Sequence, residues 1–320
     1  KSGRAWLRNY VVIGNAGWRR RNFPWPGFLG AKAHGNWQVV VLRTNGATVI
    51  LAAEGKVMNI EEIRAKLDNG QATIGSWLQL PSPDVAELMA AAGYDWIACD
   101  MEHGSFGPEW LPDIFRAINC GGACPFARLP EASKVYIKMA LEAGAHGLIF
   151  PMIESAEQLE KAIDLSTYPG QDKWRKNGSI ADDYRGVGYC RANLFGKKFD
   201  AYRENVAPEI FIVAQIEHIR AVENLDAILA VPRLDAIMVG PYDLSGSMGL
   251  TGQFGNPEFV KVMQHISATC KKHGAIMGLH IVQPDPDALM LEIAKGCRFI
   301  AYGIDAVFLW HSAQLPDLGE

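Results

Sequence analysis

Eight short, almost wholly apolar runs alternate with amphipathic helical patterns. This rhythm limits what the chain can fold into more than any other feature. The runs are 73–80, 94–101, 124–129, 147–153, 210–217, 236–241, 275–281 and 298–304. Strands that are apolar almost throughout are those covered on both faces, as in parallel sheets. Helical patterns fill the gaps, at 84–92, 109–119, 133–143, 155–166, 219–230, 257–273 and 286–295. In the first, Val85, Leu88, Met89 and Ala92 form one stripe. In 133–143, Val135, Met139 and Ala143 share a face, with Ile137 and Leu141 beside them and Ser133 placed to cap. Eight β–α repeats in a row predict an α/β fold, a (β/α)8 TIM barrel. The alternative, an open doubly wound sheet, calls for a Gly-rich phosphate turn after the first strand, whereas 78–84 reads LQLPSPD.

The rhythm starts late. Residues 1–53 hold eight Lys and Arg, no Asp or Glu, and four of the nine tryptophans. So sharp a change of composition marks a boundary. Three readings compete: a targeting leader, a basic arm for an acidic surface, or upstream sequence foreign to the native protein, with Met58 as its start. A leader would be Ser-rich or carry an apolar core segment, which this stretch lacks. The third reading is the one expected. Residues 1–57 are then a basic, Trp-rich extension outside the fold, and 58–320 the barrel domain. Asn59 followed by Glu61 and Glu62 is a helix start.

A net charge of −4 gives no basic surface for nucleic acid or an anionic membrane, and no apolar run approaches the ~18 residues of a membrane span. No two of the six cysteines form a C-x-x-C pair, which fits buried thiols in a reducing, cytoplasmic setting. The stretch 167–209, with Pro169, Gly170, Gly178, Gly186, Gly188 and Gly196, breaks the rhythm. It is expected to follow strand four at the catalytic end of the barrel.

Chemistry in such barrels gathers where the strands end. The second ends in Asp100-Met101-Glu102-His103, and period two puts Asp100 and Glu102 on one side. A carboxylate beside a histidine makes an acid/base pair, although a solvated turn would hold the same residues. The third ends in Arg128, an anion or enolate partner or else a structural ion-pair residue. The fifth ends in Gln215-Ile216-Glu217, and the sixth leads into Gly240-Pro241-Tyr242-Asp243-Leu244-Ser245. Carboxylates on adjacent strand ends can grip one hard cation and leave room for substrate oxygens. The turn after Gly240 can aim backbone N–H groups at a carboxylate. Asp243 could equally be a helix N-cap. His280 either lines the barrel top or is a satisfied core histidine. His265 and His273 read as surface residues, and His218 as a supporting one.

The segments IGSW (74–77), GYDWIACDMEH (93–103), PFARLP (125–130), ALEAGAHGLIFPMIES (140–155), RGVG (185–188), QIE (215–217) and GPYDLSGSMGLTG (240–252) keep a specific order and spacing. In these the chain resembles the class II pyruvate aldolases over roughly residues 60–305. That group includes 4-hydroxy-2-oxoheptanedioate, 2-keto-3-deoxy-L-rhamnonate and 2-dehydro-3-deoxyglucarate aldolases. The resemblance implies a barrel of the phosphoenolpyruvate/pyruvate type. It implies a divalent cation, Mg2+ or Mn2+ with Co2+ admissible, held by Glu217 and Asp243. It makes His103 the acid/base with Asp100 orienting it, and Arg128 the residue that steadies an enolate. Gln215, Arg128, Gly240, Pro241 and Ser245 would bind the keto acid. Glu142 matches an acidic position, usually Asp, that helps complete the site of a neighbouring subunit. The implied substrates are pyruvate and an aldehyde, joined or released as 4-hydroxy-2-oxo acids through a pyruvate enolate. The implied assembly is a homo-oligomer, hexamer or trimer, with a swapped final helix. The loop 170–184 is longer than the usual turn before RGVG, so the aldehyde stays open.

Other readings share the enolate. They are a decarboxylase, an acyl-CoA lyase, or a non-catalytic barrel that binds a keto acid. Lys134 and Lys138 follow strand three but belong on a helix, so a lysine Schiff base is not expected.

Overall fold

Asn59 opens the first helix, α1 (Ile60–Asp68), as its sequence context predicts. Its side chain accepts from the Glu62 N–H while Glu62 reaches back to the Asn59 N–H, a reciprocal capping box. The computed structural model describes residues 40–44, 47–51, 58–171, 174 and 183–315, the first two segments as backbone only. The chain divides into two units, 1–56 and 57–320. In the first, Val40–Thr44 pairs antiparallel with Ala47–Leu51. The rest of the expected extension lies outside the described residues.

In the second unit all eight expected strands form: β1 (Thr73–Leu78), β2 (Trp96–Asp100), β3 (Cys124–Arg128), β4 (Gly147–Phe150), β5 (Phe211–Ile216), β6 (Ala236–Val239), β7 (Ile276–Ile281) and β8 (Phe299–Ile304). They are parallel and closed, each pairing with the next and β8 with β1. The lumen holds stacked aromatics, among them Trp96 on Phe299 at 4.4 Å and Phe211 on Phe299 at 5.4 Å. Gly75 on β1 makes this possible, because a Cβ there would overlap the Trp96 ring. No helix among the described residues is long and apolar enough to cross a membrane.

The outer ring includes α2 (Pro83–Ala91), α3 (Leu111–Gly121), α4 (Lys134–Ala143) and α5 (Ala156–Ser166). It continues with α6 (Phe199–Asn205), α7 (Ile219–Glu223), α8 (Leu225–Leu229), α9 (Pro241–Ser247), α10 (Pro257–His273), α11 (Pro286–Lys295) and α12 (Asp305–Ser312). Two buried faces differ from expectation. Helix α2 buries Ala86 and Ala90, leaving Leu88 71% exposed. Its small residues let α3 come close, since a Cβ on Gly121 would be 2.5 Å from that of Ala90. Helix α4 buries Ile137, Ala140, Leu141 and Ala143, while Val135 and Met139 face outward. Ser133 is its N-cap residue, but its hydroxyl makes no cap bond.

The long stretch 167–209 corrects an expectation of place. It follows α5 rather than β4, and contributes α6 before β5 begins. Each helix returns the chain to the end where the strands start, so the described residues that follow α5 and lead into β5, 167–171 and 183–209, join the barrel opposite the strand C-termini.

Candidate active site

Asp100 and Arg128 are register partners on β2 and β3, so their side chains leave the barrel wall on the same side. They meet in a bidentate pair, Arg128 Nε to Oδ1 at 2.8 Å and Nη2 to Oδ2 at 2.6 Å. Gln79, just past β1, donates to Oδ2 at 2.9 Å. The backbone N–H groups of Glu102 and His103 both donate to Oδ1 at 3.2 Å. Burial pushes the Asp100 carboxyl up, but the Arg128 hydrogen bonds and charge, with Gln79 and the His103 amide, bring it below its ordinary value. The Arg128 guanidinium lies over the Trp77 ring, 4.4 Å from its centre. Its Nη1 is 3.2 Å from Glu102 Oε2.

Asp100 therefore orients Arg128 and touches His103 through the backbone. No hydrogen bond to the His103 ring is made among the described residues. The carboxylate that feels the exposed His103 ring is Glu102. Glu102 is held up by burial and by Asp100 and Asp243, against the pull of Arg128 and His103.

Two strands further round the barrel from Arg128, Glu217 is buried just beyond β5. Gln215 Nε2 donates to its Oε1 at 2.9 Å and the Met152 N–H to its Oε2 at 3.0 Å. Met152 has φ 50°, a left-handed conformation uncommon for a side-chain-bearing residue, and in it the amide meets Glu217. Burial raises the Glu217 carboxyl to about 7. The Met152 amide and Arg128 oppose the shift, and Glu102 and Asp243 add to it. Gly240 is required beside it, since a Cβ there would overlap Oε1 and lie 2.7 Å from Cγ. Gly240, not Asp243, is the residue before the first turn of α9, and Asp243 is an exposed acid within that turn.

Two nearby acids, Glu102 and Asp243, thus add to the rise of the Glu217 carboxyl, so the negative charge gathered here favours a positive partner. Gln215 Oε1 is buried without a partner. These features fit a cation. Among the described residues no group of three or more His, Cys, Asp and Glu side chains is placed to hold a metal. Two carboxylates suffice for an ion that also takes substrate and water oxygens.

Other expected residues stand apart. The Ser245 hydroxyl is engaged in its own loop, donating to the Tyr242 carbonyl at 2.9 Å and accepting from the Gly252 N–H at 3.1 Å. Pro241 follows Gly240 in the first turn of α9. Glu142 is in the last turn of α4, 3.9 Å from Lys138, where the chain has already turned back from the strand C-termini. His280 is half-buried, edge-on to Trp77 at 5.7 Å, and its buried Nε2 has no partner. His218 caps the Arg220 N–H, His273 pairs with Asp226, and His265 is exposed. Sequence reasoning did not single out Trp77, Gln79 or Met152. Trp77 and Gln79 flank the end of β1, where a full survey of strand ends would have found them.

A family model described as HpcH/HpaI aldolase/citrate lyase matches residues 73–312. The chain is 35% identical over 251 residues to a 4-hydroxy-2-oxovalerate aldolase from Novosphingobium aromaticivorans, covering 77% of this chain and 89% of that one. It is 33% identical to a 2-keto-3-deoxy-L-rhamnonate aldolase from Salmonella gallinarum, covering 75% and 86%. The crystal structure of an HpcH/HpaI aldolase/citrate lyase family protein from Burkholderia cenocepacia superposes with a TM-score of 0.71 at 31% identity, covering 79% and 95%.

Proposed function

Because this chain belongs to the HpcH/HpaI aldolase/citrate lyase family, we propose that the acids at its barrel mouth hold one divalent cation beside a pyruvate unit. The chain is an aldehyde-lyase of the class II pyruvate type, acting on 4-hydroxy-2-oxo acids. The observation that carries the site assignment is Glu217, a buried carboxylate raised to about 7 between burial and two further acids. A cation at Glu217 and Asp243 would relieve that charge. Mg2+, Mn2+ and Co2+ all suit an oxygen-ligand site.

Bound there, the ion supplies Lewis-acid stabilisation of an enolate, a contribution of several kcal/mol. The protein's own groups do the rest. In the cleavage direction His103 takes the proton from the C4 hydroxyl. The C3–C4 bond breaks, its electron pair stays on C3, and the aldehyde leaves. Arg128, fixed by Asp100 and Trp77, turns its remaining N–H groups to the enolate oxygen. Glu102, 3.2 Å from Arg128 Nη1, braces the guanidinium from a second side. Gln215 lines the keto-acid pocket, with Gly240, Pro241 and Ser245 shaping the turn around its carboxylate. Uptake of a proton at C3 yields pyruvate. The loop 170–184 is longer than the turn usual before RGVG, and the aldehyde stays open on that account.

The same reading makes the protein a homo-oligomer, trimer or hexamer, in which Glu142 completes the mouth of a second copy. Leu309 and Trp310 of α12 are exposed, as a helix docked on a neighbour requires. Six free cysteines, five of them buried, suit the cytoplasm.

The deciding experiment strips the protein with EDTA, restores single metals, and assays pyruvate release across a panel of hydroxy-oxo acids with lactate dehydrogenase as couple. Activity should vanish with the chelator and return with Mg2+, Mn2+ or Co2+. Borohydride with pyruvate should leave no adduct. Turnover that survives chelation, or a trapped lysine, overturns the proposal.

A further inference from the structure

Asp305 is 4% exposed and lies outside the set of acids at the barrel mouth. A buried carboxylate is costly unless its oxygens are taken up, and here both are. The Gln79 N–H donates to Oδ1 at 2.8 Å and the Leu80 N–H to Oδ2 at 2.9 Å. Asp305 follows β8 directly and opens α12, whereas Gln79 and Leu80 lie just past β1. The carboxylate therefore ties the end of the last strand to the end of the first. Burial raises its carboxyl, and the amides of Gln79, Leu80 and Ala306 oppose the rise.

A break in the strand register brings it there. Ala301 pairs with Gly75 but Ile304 with Trp77, so β8 carries one more residue than β1 across this step. A bulge of this kind re-aims the side chains around it and is frequent beside active sites. Gly303 sits in the bulge with φ 71°, and a Cβ there would overlap the Phe308 ring. The Gly303 carbonyl accepts from the Ser76 hydroxyl at 3.1 Å, which fastens the bulge to β1.

Gln79 is the residue that this clamp holds. Its carbonyl accepts from the Ser105 N–H at 3.0 Å, in the turn that follows His103. Gly104 keeps that turn close, since a Cβ there would overlap the Asp100 carbonyl oxygen and lie 3.1 Å from Gln79 Cα. With the backbone held on both sides, the Gln79 side chain reaches Asp100, and its Nε2 donates to Oδ2 at 2.9 Å. The same oxygen takes Arg128 Nη2 at 2.6 Å. A continuous run of contacts thus leads from Asp305 through Gln79 to the Asp100–Arg128 pair.

We propose that Asp305 is a positioning residue for the reaction: clamped across the β8 bulge, it sets Gln79 so that the Gln79 amide fixes Asp100 and, through it, the Arg128 guanidinium. This rests on the reading of Arg128 as the group that steadies the enolate.

The test uses the full chain with Asp305→Ala, which removes both acceptors, Asp305→Asn, which keeps one, Gln79→Leu, the double variant Asp305→Ala with Gln79→Leu, and Arg128→Lys. Oxalate serves as probe, a planar dianion shaped like the pyruvate enolate. Its inhibition constant in Mn2+ is measured beside Mn2+ affinity, Tm, and kcat and KM for the best substrate of the panel. Asp305→Ala should lower kcat and weaken oxalate about tenfold each, and Asp305→Asn about threefold, with KM and Mn2+ affinity unchanged. The double should lose no more than the worse single, as expected of residues on one route. Losses that multiply overturn the proposal. So does a lower Tm with the wild-type oxalate constant, which is all that a structural role would give. If Arg128→Lys binds oxalate and turns over normally, the reading of Arg128 falls and takes this with it. If Arg128→Lys is impaired and the Asp305 variants are not, this proposal alone falls. Should Asp305→Ala fail to fold, Asp305→Asn and its cycle with Gln79→Leu give the same decision.

Discussion

The Asp100–Arg128 pair is buried, so neither partner can be removed alone without leaving the other uncompensated. Asp100→Asn is expected to cost about 3–5 kcal/mol in a urea melt and to depress kcat, because the guanidinium loses its fixed pose. A melt within error of wild type would mean that solvent reaches the pair. Glu217 makes a prediction in pH. Its folded value of about 7 is above its ordinary 4.5, so the carboxyl favours the folded state in its protonated form. That contribution is complete below pH 4.5 and is lost as pH rises through 7. A cation competes with the same proton. The rise in Tm on adding Mn2+ should therefore be larger at pH 8 than at pH 6, measured by calorimetry. A rise independent of pH would remove Glu217 from the ligands. Glu217→Gln should weaken Mn2+ binding by about a hundredfold or more in a calorimetric titration.

At the scale of elements, the ends of β5 and β6 must approach closely enough for Glu217 to lie over Gly240. Gly240→Ala puts a methyl group into that carboxylate. The expected result is about 1–3 kcal/mol of lost stability or a displaced Glu217 with weakened metal binding, separable by melting with and without Mn2+. The helices show why periodicity is only half an answer. The apolar spacing in 84–92 marks a helix, but the buried stripe is Ala86 and Ala90 because α3 packs closely there. Hydrophobicity ranks Leu88 above alanine, whereas helix–helix distance rewards the smaller residue. The segment 167–209 was likewise visible as an interruption, but its end of the barrel depends on α5 being counted first.

For the whole molecule, β8 closes on β1 and all eight strands fall within residues 73–304. A chain of residues 58–320 should therefore fold and turn over as the full chain does, with stability within about 0.5 kcal/mol. Loss of the melting transition on that truncation would bring 1–57 into the fold. The strand count, the parallel closure and the acids, arginine and histidine at the strand ends were all legible in the sequence, because side-chain alternation and burial leave a direct imprint on residue type. The partners were not. Asp100 meets Arg128 and Gln79 instead of the His103 ring, Glu102 is the acid beside His103, and Met152 turns its amide onto Glu217. Periodicity says which way a side chain leaves its own strand. Which side chain it then meets depends on the register between strands and on how the loops turn at the mouth, and only the closed barrel sets these.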